Sequence, residues 1–256
     1  MKVPSIKEIR KVALKKKYEP WITRNIYRPP ATYLTWLLLH TNITANQVSF
    51  LTILIGFFSG FFFIFGKYEY SLVGAILFQL TYFVDCCDGD IARFRNACHP
   101  KGHYYGRLSH ILIDSFVFLG IGIGLFKELG NIIYLYLVIL ITTSHMLFSV
   151  FVAEKFRIYY EYNLKQKKNE SSLEKVNGVL LNIFKKIFDK IGIIFRQPMH
   201  FNIVMIAAIF NVLHWVIVLF AIFKPIITIG TFIYETQVRF ERFEWYEKDI
   251  DNRTSL

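Results

Sequence analysis

Charge is scarce in this chain. Only 19% of its 256 residues are Asp, Glu, Lys or Arg, where a soluble domain carries about 25%. Several apolar runs hold almost no charge at all, which excludes a soluble globular enzyme and a disordered chain. Cysteine is sparse too. Cys86, Cys87 and Cys98 are an odd three, too few for a disulfide scaffold, and their place near the side read below as cytosolic implies reduced thiols. A zinc site from Cys86, Cys98, His99 and His103 fits no standard ligand spacing. Acidic residues number 19 against 30 basic ones, leaving a net charge of +11. In a chain this apolar the excess reads as topology and lipid contact, with no nucleic-acid partner implied.

Apolar side chains fill the space that charge leaves. They make up 54% of the chain, with 26 phenylalanines, and the mean hydropathy is +0.37. The fold class expected is an all-α integral membrane protein with six transmembrane helices and an N-terminal interfacial amphipathic helix. Residues 1–45 form a basic interfacial segment, 46–240 the membrane domain and 241–256 a tail. The first 30 residues are basic and hold no apolar core of signal-peptide length. Ser5-Ile6-Lys7-Glu8 is a capping box that starts a short helix. Its residues Ile6, Ile9, Val12 and Ala13 share one side, as on a helix lying on an anionic membrane surface; a solvated tail is the alternative. A second amphipathic stretch, 31–39, follows Pro29-Pro30. Trp21, Tyr27, Tyr33 and Trp36 suit the headgroup interface.

The first span is 47–66, about 30 Å long as a helix. Its Gly56 and Gly60 form a GxxxG pair that admits a close neighbour. The second apolar run starts at Tyr70 and meets Asp85 and Asp88 near its far end. The third span is 108–126 and the fourth 131–153. Residues 154–197 form a polar segment with an interfacial helix marked by Leu180, Phe184, Ile187, Phe188 and Ile191. The apolar stretch 199–234 reads as two helices, turning near 211–214 or near Lys224-Pro225. With six spans, 27 of the 30 basic residues fall on one side, leaving only Lys67, Lys127 and Lys224 opposite. The positive-inside rule then puts the Asp85–Asp88 end in the cytosol. Absent sorting signals and compact length point to a prokaryotic plasma membrane.

Ionisable residues inside membrane helices are costly and mark functional sites. Asp85, Asp88 and Ala92 lie at i, i+3 and i+7, on one helix face. Two carboxylates about 5–6 Å apart near hydrocarbon repel each other unless neutralised, and a divalent cation is the natural remedy. Gly89 and Ala92 leave that face nearly bare, and Arg93 offers a forked donor suited to phosphate. On the third span Gly102, Gly106, His110 and Asp114 are spaced by four and form one stripe. Its His110 and Asp114 face the acid pair if the two helices are neighbours. The generic reading is metal-assisted phosphoryl transfer at the membrane surface; the alternative is an ion pair with Arg93 that only orients helices. Asp90 points away from the pair, toward Arg93 or Arg95, as a solvated residue. His200 and His214 read as packing or interfacial residues, and Gly120, Gly122 and Gly124 as helix-packing positions.

Asp85-x-x-Asp88-Gly89-x-x-Ala92-Arg93-x8-Gly102 resembles the start of the CDP-alcohol phosphatidyltransferase signature, D-x-x-D-G-x-x-A-R-x8-G-x3-D-x3-D. Thr44-Ala45-Asn46 is similar to the Thr-Pro-Asn that precedes that family's first span. The resemblance implies transfer of a substituted phosphate from a CDP-alcohol donor, such as CDP-diacylglycerol, to a hydroxyl acceptor with release of CMP. It implies Mg²⁺ or Mn²⁺ on Asp85, Asp88 and Asp114, and CDP bound by Asp85, Asp88, Gly89, Ala92, Arg93 and Gly102. His110 and Asp114 would be catalytic on the acceptor side, with Lys101 and Arg107 attracting an acceptor phosphate. The bilayer is a partner, and a homodimer is a family habit. In strict register the third signature aspartate is Gly106 and the fourth His110. A register with four extra residues makes His110 the third and Asp114 the fourth. Either way one acid is missing, so a catalytically impaired homologue that binds nucleotide-lipid or a partner protein is the second reading.

Overall fold

The computed structural model describes residues 4–13, 21–95, 97, 100–166 and 198–254, with side chains at all of these except 12, 13, 100, 101, 103, 155–166 and 234–254. The elements run in order as α1 (Ile6–Ala13), a π-helical turn (Thr23–Tyr27), α2 (Arg28–Leu39), α3 (Ala45–Phe63), α4 (Tyr68–Phe94), α5 (Pro100–Leu129), α6 (Ile133–Gln166), α7 (Met199–Ile209) and α8 (Leu213–Thr254). Among the described residues there is no strand. Five helical segments are long and apolar enough to cross a membrane: Ala45–Phe63, Tyr68–Phe94, Tyr104–Leu129, Ile133–Glu154 and Leu213–Ile233. The remaining apolar helix, α7, is shorter at 11 residues. The expected interfacial helix around Leu180 to Ile191 lies outside the described residues, as does most of the polar segment.

Glycines decide how closely α3 and α5 approach. A Cβ on Gly56 would sit 2.6 Å from Ile113, and one on Gly60 would sit 2.6 Å from the Phe116 carbonyl oxygen. A Cβ on Gly120 would strike the Gly60 carbonyl, and one on Gly124 the Phe63 carbonyl. The two helices therefore meet backbone to backbone, as small-residue motifs allow in lipid. Gly122 serves a different neighbour, packing under Val138 of α6. Around this seam α4 packs on α3, α6 on α5 and α8, and α7 on α4. The core holds Phe63, Phe78, Phe118, Phe201 and Phe220. The exposed faces carry Phe50, Phe57, Phe58 and Phe61 on α3 alone, the pattern of a lipid-facing surface.

The turn between α7 and α8 falls at Asn211, whose φ of 54° is one that Asn tolerates better than most residues. The Val212 N–H closes back on Ala207 O at 2.8 Å. The alternative turn at Lys224-Pro225 is ruled out: α8 runs through Pro225 without a break, and it continues past residue 240 into the expected tail. Lys224 is therefore a buried residue of α8, 7% exposed, and not a loop cation on the far side.

The N-terminal segment is more tightly docked than expected. Its capping box is present: Ser5 N–H donates to Glu8 Oε2 at 2.7 Å and Glu8 N–H to Ser5 Oγ at 3.3 Å. These bonds to the Ser5 backbone and hydroxyl, with the Lys11 charge nearby, hold the Glu8 carboxyl below its ordinary range. Ile9 is fully buried, because α1 packs on α2 and α4. Trp21 and Tyr33 are well exposed. Tyr27 is not an interface residue. It is buried, and its hydroxyl donates to Gln79 Oε1 or Asn202 Oδ1, each at 2.7 Å.

Candidate active site

The acid pair sits where the end of α4 meets the starts of α3 and α5. Thr44 caps α3 through a reciprocal box with Gln47, which fixes the first turn of that helix. One turn in, Ser49 Oγ donates to Asp88 Oδ2 at 2.6 Å. Beyond the end of α4, the Arg95 guanidinium donates to the Ile43 and Thr41 carbonyls. The segment holding Thr44-Ala45-Asn46 is thus tied to the end of α4. From α5, His110 Nε2 lies 3.4 Å from Asp85 Oδ1. Asp85, Asp88, His110 and Arg93 are all half-buried, so the cluster is open on one side.

The facing of His110 onto the acids is the arrangement that the stripe on the third span predicts. Gly106, one turn earlier on α5, has open space where a Cβ would stand, as does Gly102. Arg107 is exposed, and the side chain of Lys101 is outside the described ones. So are those of Cys98, His99 and His103 from the zinc alternative. Cys86 and Cys87 are buried free thiols, and Cys87 Sγ contacts the Ala31 carbonyl at 3.4 Å.

Asp90 does not lie on a solvated surface. It is 0% exposed and is held by two guanidinium groups. Arg28 Nη1 donates to its two carboxylate oxygens at 3.0 and 2.9 Å, and Arg93 Nη2 forms an ion pair with Oδ1. The Arg93 guanidinium lies beside Gly89, with Nη1 3.5 Å from the place a Cβ would take. A Cβ there would only touch that group at van der Waals distance, so the glycine leaves the backbone beside the guanidinium bare without being sterically required. Arg28 arrives from 62 residues upstream, at the point where the π-helical turn passes into α2. Sequence reading missed it, because a lone basic residue before Pro29-Pro30 resembles the other cations of a basic segment.

Asp114 is brought to a different set of partners. Its Oδ1 lies 3.1 Å from His200 Nε2 of α7, and its Oδ2 lies 3.4 Å from His145 Nδ1 of α6. It is 2% exposed. Lys224 of α8 shares this environment electrostatically, with Nζ 5.0 Å from the centre of the Phe118 ring. His200 is wedged against Phe201 and Phe78. The position of Asp114 one turn past His110 explains the outcome, since each turn carries the side chain about 5.4 Å further along the bundle. His145 and His200 gave only the weak signal of single histidines within apolar runs.

Among the described residues, no group of three or more His, Cys, Asp or Glu side chains stands arranged to hold a metal ion. The donors nearest to one another at the motif are the two carboxylates and the His110 imidazole. The two carboxylates, as oxygen donors, suit a hard divalent cation that keeps several waters.

No curated protein matches this chain. The sequence model of the CDP-alcohol phosphatidyltransferase family matches residues 42–223, from the loop ahead of α3 into the first part of α8. That stretch contains the α4 acids, Arg93, His110 and, of the buried group, Asp114, His145 and His200. It covers most of the membrane-spanning bundle, and by it the chain belongs to the CDP-alcohol phosphatidyltransferase family.

Proposed function

We propose that the protein transfers a substituted phosphate from a CDP-alcohol to a hydroxyl acceptor, releasing CMP, in the synthesis of a phospholipid or related polar lipid. The observation that carries this reading is the convergence of Asp85, Asp88 and His110 at one end of the bundle, on a face left bare by Gly89. Asp85 and Asp88 would hold Mg²⁺ or Mn²⁺, which when bound supplies positive charge against the donor's diphosphate. Ser49 fixes the Asp88 carboxylate through its 2.6 Å bond. Arg93 and the bare backbone at Gly89, Ala92 and Gly102 receive the diphosphate, and the exposed Arg107, with Lys101, attracts a phosphate on the acceptor. His110 Nε2 takes the proton of the acceptor hydroxyl as its oxygen attacks the phosphorus and CMP leaves. Asp114 serves the same side as an anchor of α5, one turn deeper. The bias of basic residues toward this end supports a cytosolic orientation for it.

The test is CMP release by the purified chain with Mn²⁺, CDP-diacylglycerol or a soluble CDP-alcohol, and a panel of acceptors, with products identified by mass spectrometry. Turnover is expected with at least one pair, and Asp88→Asn is expected to reduce it by about 100-fold or more, the loss typical of a removed charge-stabilising group. A wild-type chain that binds no CDP-alcohol in Mn²⁺ overturns the transferase reading. The absent carboxylate at Gly106 favours the second reading, a homologue that binds nucleotide-lipid without turning it over. Gly106→Asp has room for its side chain. Activity confined to that variant would establish the impaired homologue.

A further inference from the structure

Asp90 is fully buried between Arg28 and Arg93. Two further details show which of the two guanidiniums is placed to meet an anion. Arg93 Nε is buried without a hydrogen-bond partner, and the same guanidinium lies beside the bare backbone of Gly89. Arg28 is already committed: it grips Asp90 with Nη1, which also lies 3.4 Å from the Cys86 carbonyl, and its side chain is 5% exposed. Arg93 is the more accessible of the two, with 27% of its side chain exposed.

We infer that Asp90 and Arg28 are positioning residues: Arg28 anchors Asp90, and Asp90 pins the Arg93 guanidinium beside Gly89 in readiness for a phosphate or diphosphate group. The N-terminal segment is by this route a structural part of the anion site and not only a membrane contact. The inference rests on the transferase reading for the identity of the anion, and on the geometry alone for the pinning. An unpinned arginine at a membrane surface samples many rotamers and turns toward bulk water or lipid headgroups. Holding it in one place removes that ordering cost from ligand binding.

The experiment uses the full chain with Asp90→Asn and, as a gentler change, Arg28→Lys. Three readouts are taken. Phenylglyoxal labelling of Arg93 is followed by peptide mass spectrometry, with Arg107 as internal reference. KM for donor and acceptor is measured separately with kcat, and the thermal midpoint is recorded. In Asp90→Asn, Arg93 is expected to label faster relative to Arg107. The donor KM is expected to rise about tenfold, one charge-assisted hydrogen bond's worth, with the acceptor KM unchanged. Arg28→Lys is expected to move both in the same direction by less. A purely structural pair would lower the midpoint while leaving the labelling ratio and the donor KM of the folded protein alone, and that result overturns the proposal. Where Asp90→Asn does not fold, an unchanged labelling ratio in Arg28→Lys overturns it equally. Faster Arg93 labelling in a chain whose wild type binds no CDP-alcohol supports the pinning and removes the transferase reading.

Discussion

At the scale of single residues, the acids of this chain have divided into three roles. Asp85 and Asp88 stay half-buried beside His110 and Ser49, Asp90 is enclosed by arginines, and Asp114 is enclosed by histidines with Lys224 nearby. The first placement was legible, because carboxylates at i and i+3 share one helix face and the stripe spaced by four on α5 turns His110 toward it. The other two were not. Burial of an acid depends on which cation arrives from elsewhere, and Arg28, His145, His200 and Lys224 come from four other elements at separations that no local pattern shows. The Asp114 group carries its own prediction. Asp114→Ala leaves Lys224 and two imidazoles without their anion, which costs about 3–5 kcal/mol. The thermal midpoint in detergent is expected to fall sharply, and the double variant Asp114→Ala/Lys224→Met to recover much of the loss. No recovery would mean that Lys224 is not a charge partner of Asp114.

At the scale of elements, the helices were legible from apolar runs and caps, and their contacts were legible only where glycine marked them. The Gly56 and Gly60 pair of α3 does admit a close neighbour, and that neighbour is α5 with Gly120 and Gly124. The weak points were ends and turns. Helices α6 and α8 run on past their apolar portions to Gln166 and Thr254, since a helix needs no hydrophobic face once it leaves lipid. The seam can be tested directly. Gly120→Leu drives a side chain into the Gly60 backbone and is expected to cost more than the 1–3 kcal/mol or so of ordinary overpacking, seen as loss of a monodisperse folded species. Gly102→Ala, with open space around it, is expected to leave the midpoint unchanged. Equal behaviour of the two variants would disprove the close approach of α3 and α5.

At the scale of the whole molecule, the end of the bundle that carries the acids is also the end toward which the basic segments lead, so orientation and function share one prediction. With Cys98 replaced, Lys67→Cys is expected to react with an impermeant maleimide from outside intact cells, and Gly102→Cys only after permeabilisation. The reverse pattern would turn the site outward. The buried Lys224 has a bearing on how such a chain is made. A lysine at the middle of a helix costs about 2.5–3.5 kcal/mol at membrane insertion, yet α8, synthesised after α5, carries it. Asp114 has by then left the ribosome 110 residues earlier, on α5. Helix α8 can therefore be admitted on credit of a counter-charge already in the bilayer. Chains lacking Asp114 are expected to stall at that step, with α8 left outside the membrane and open to proteases.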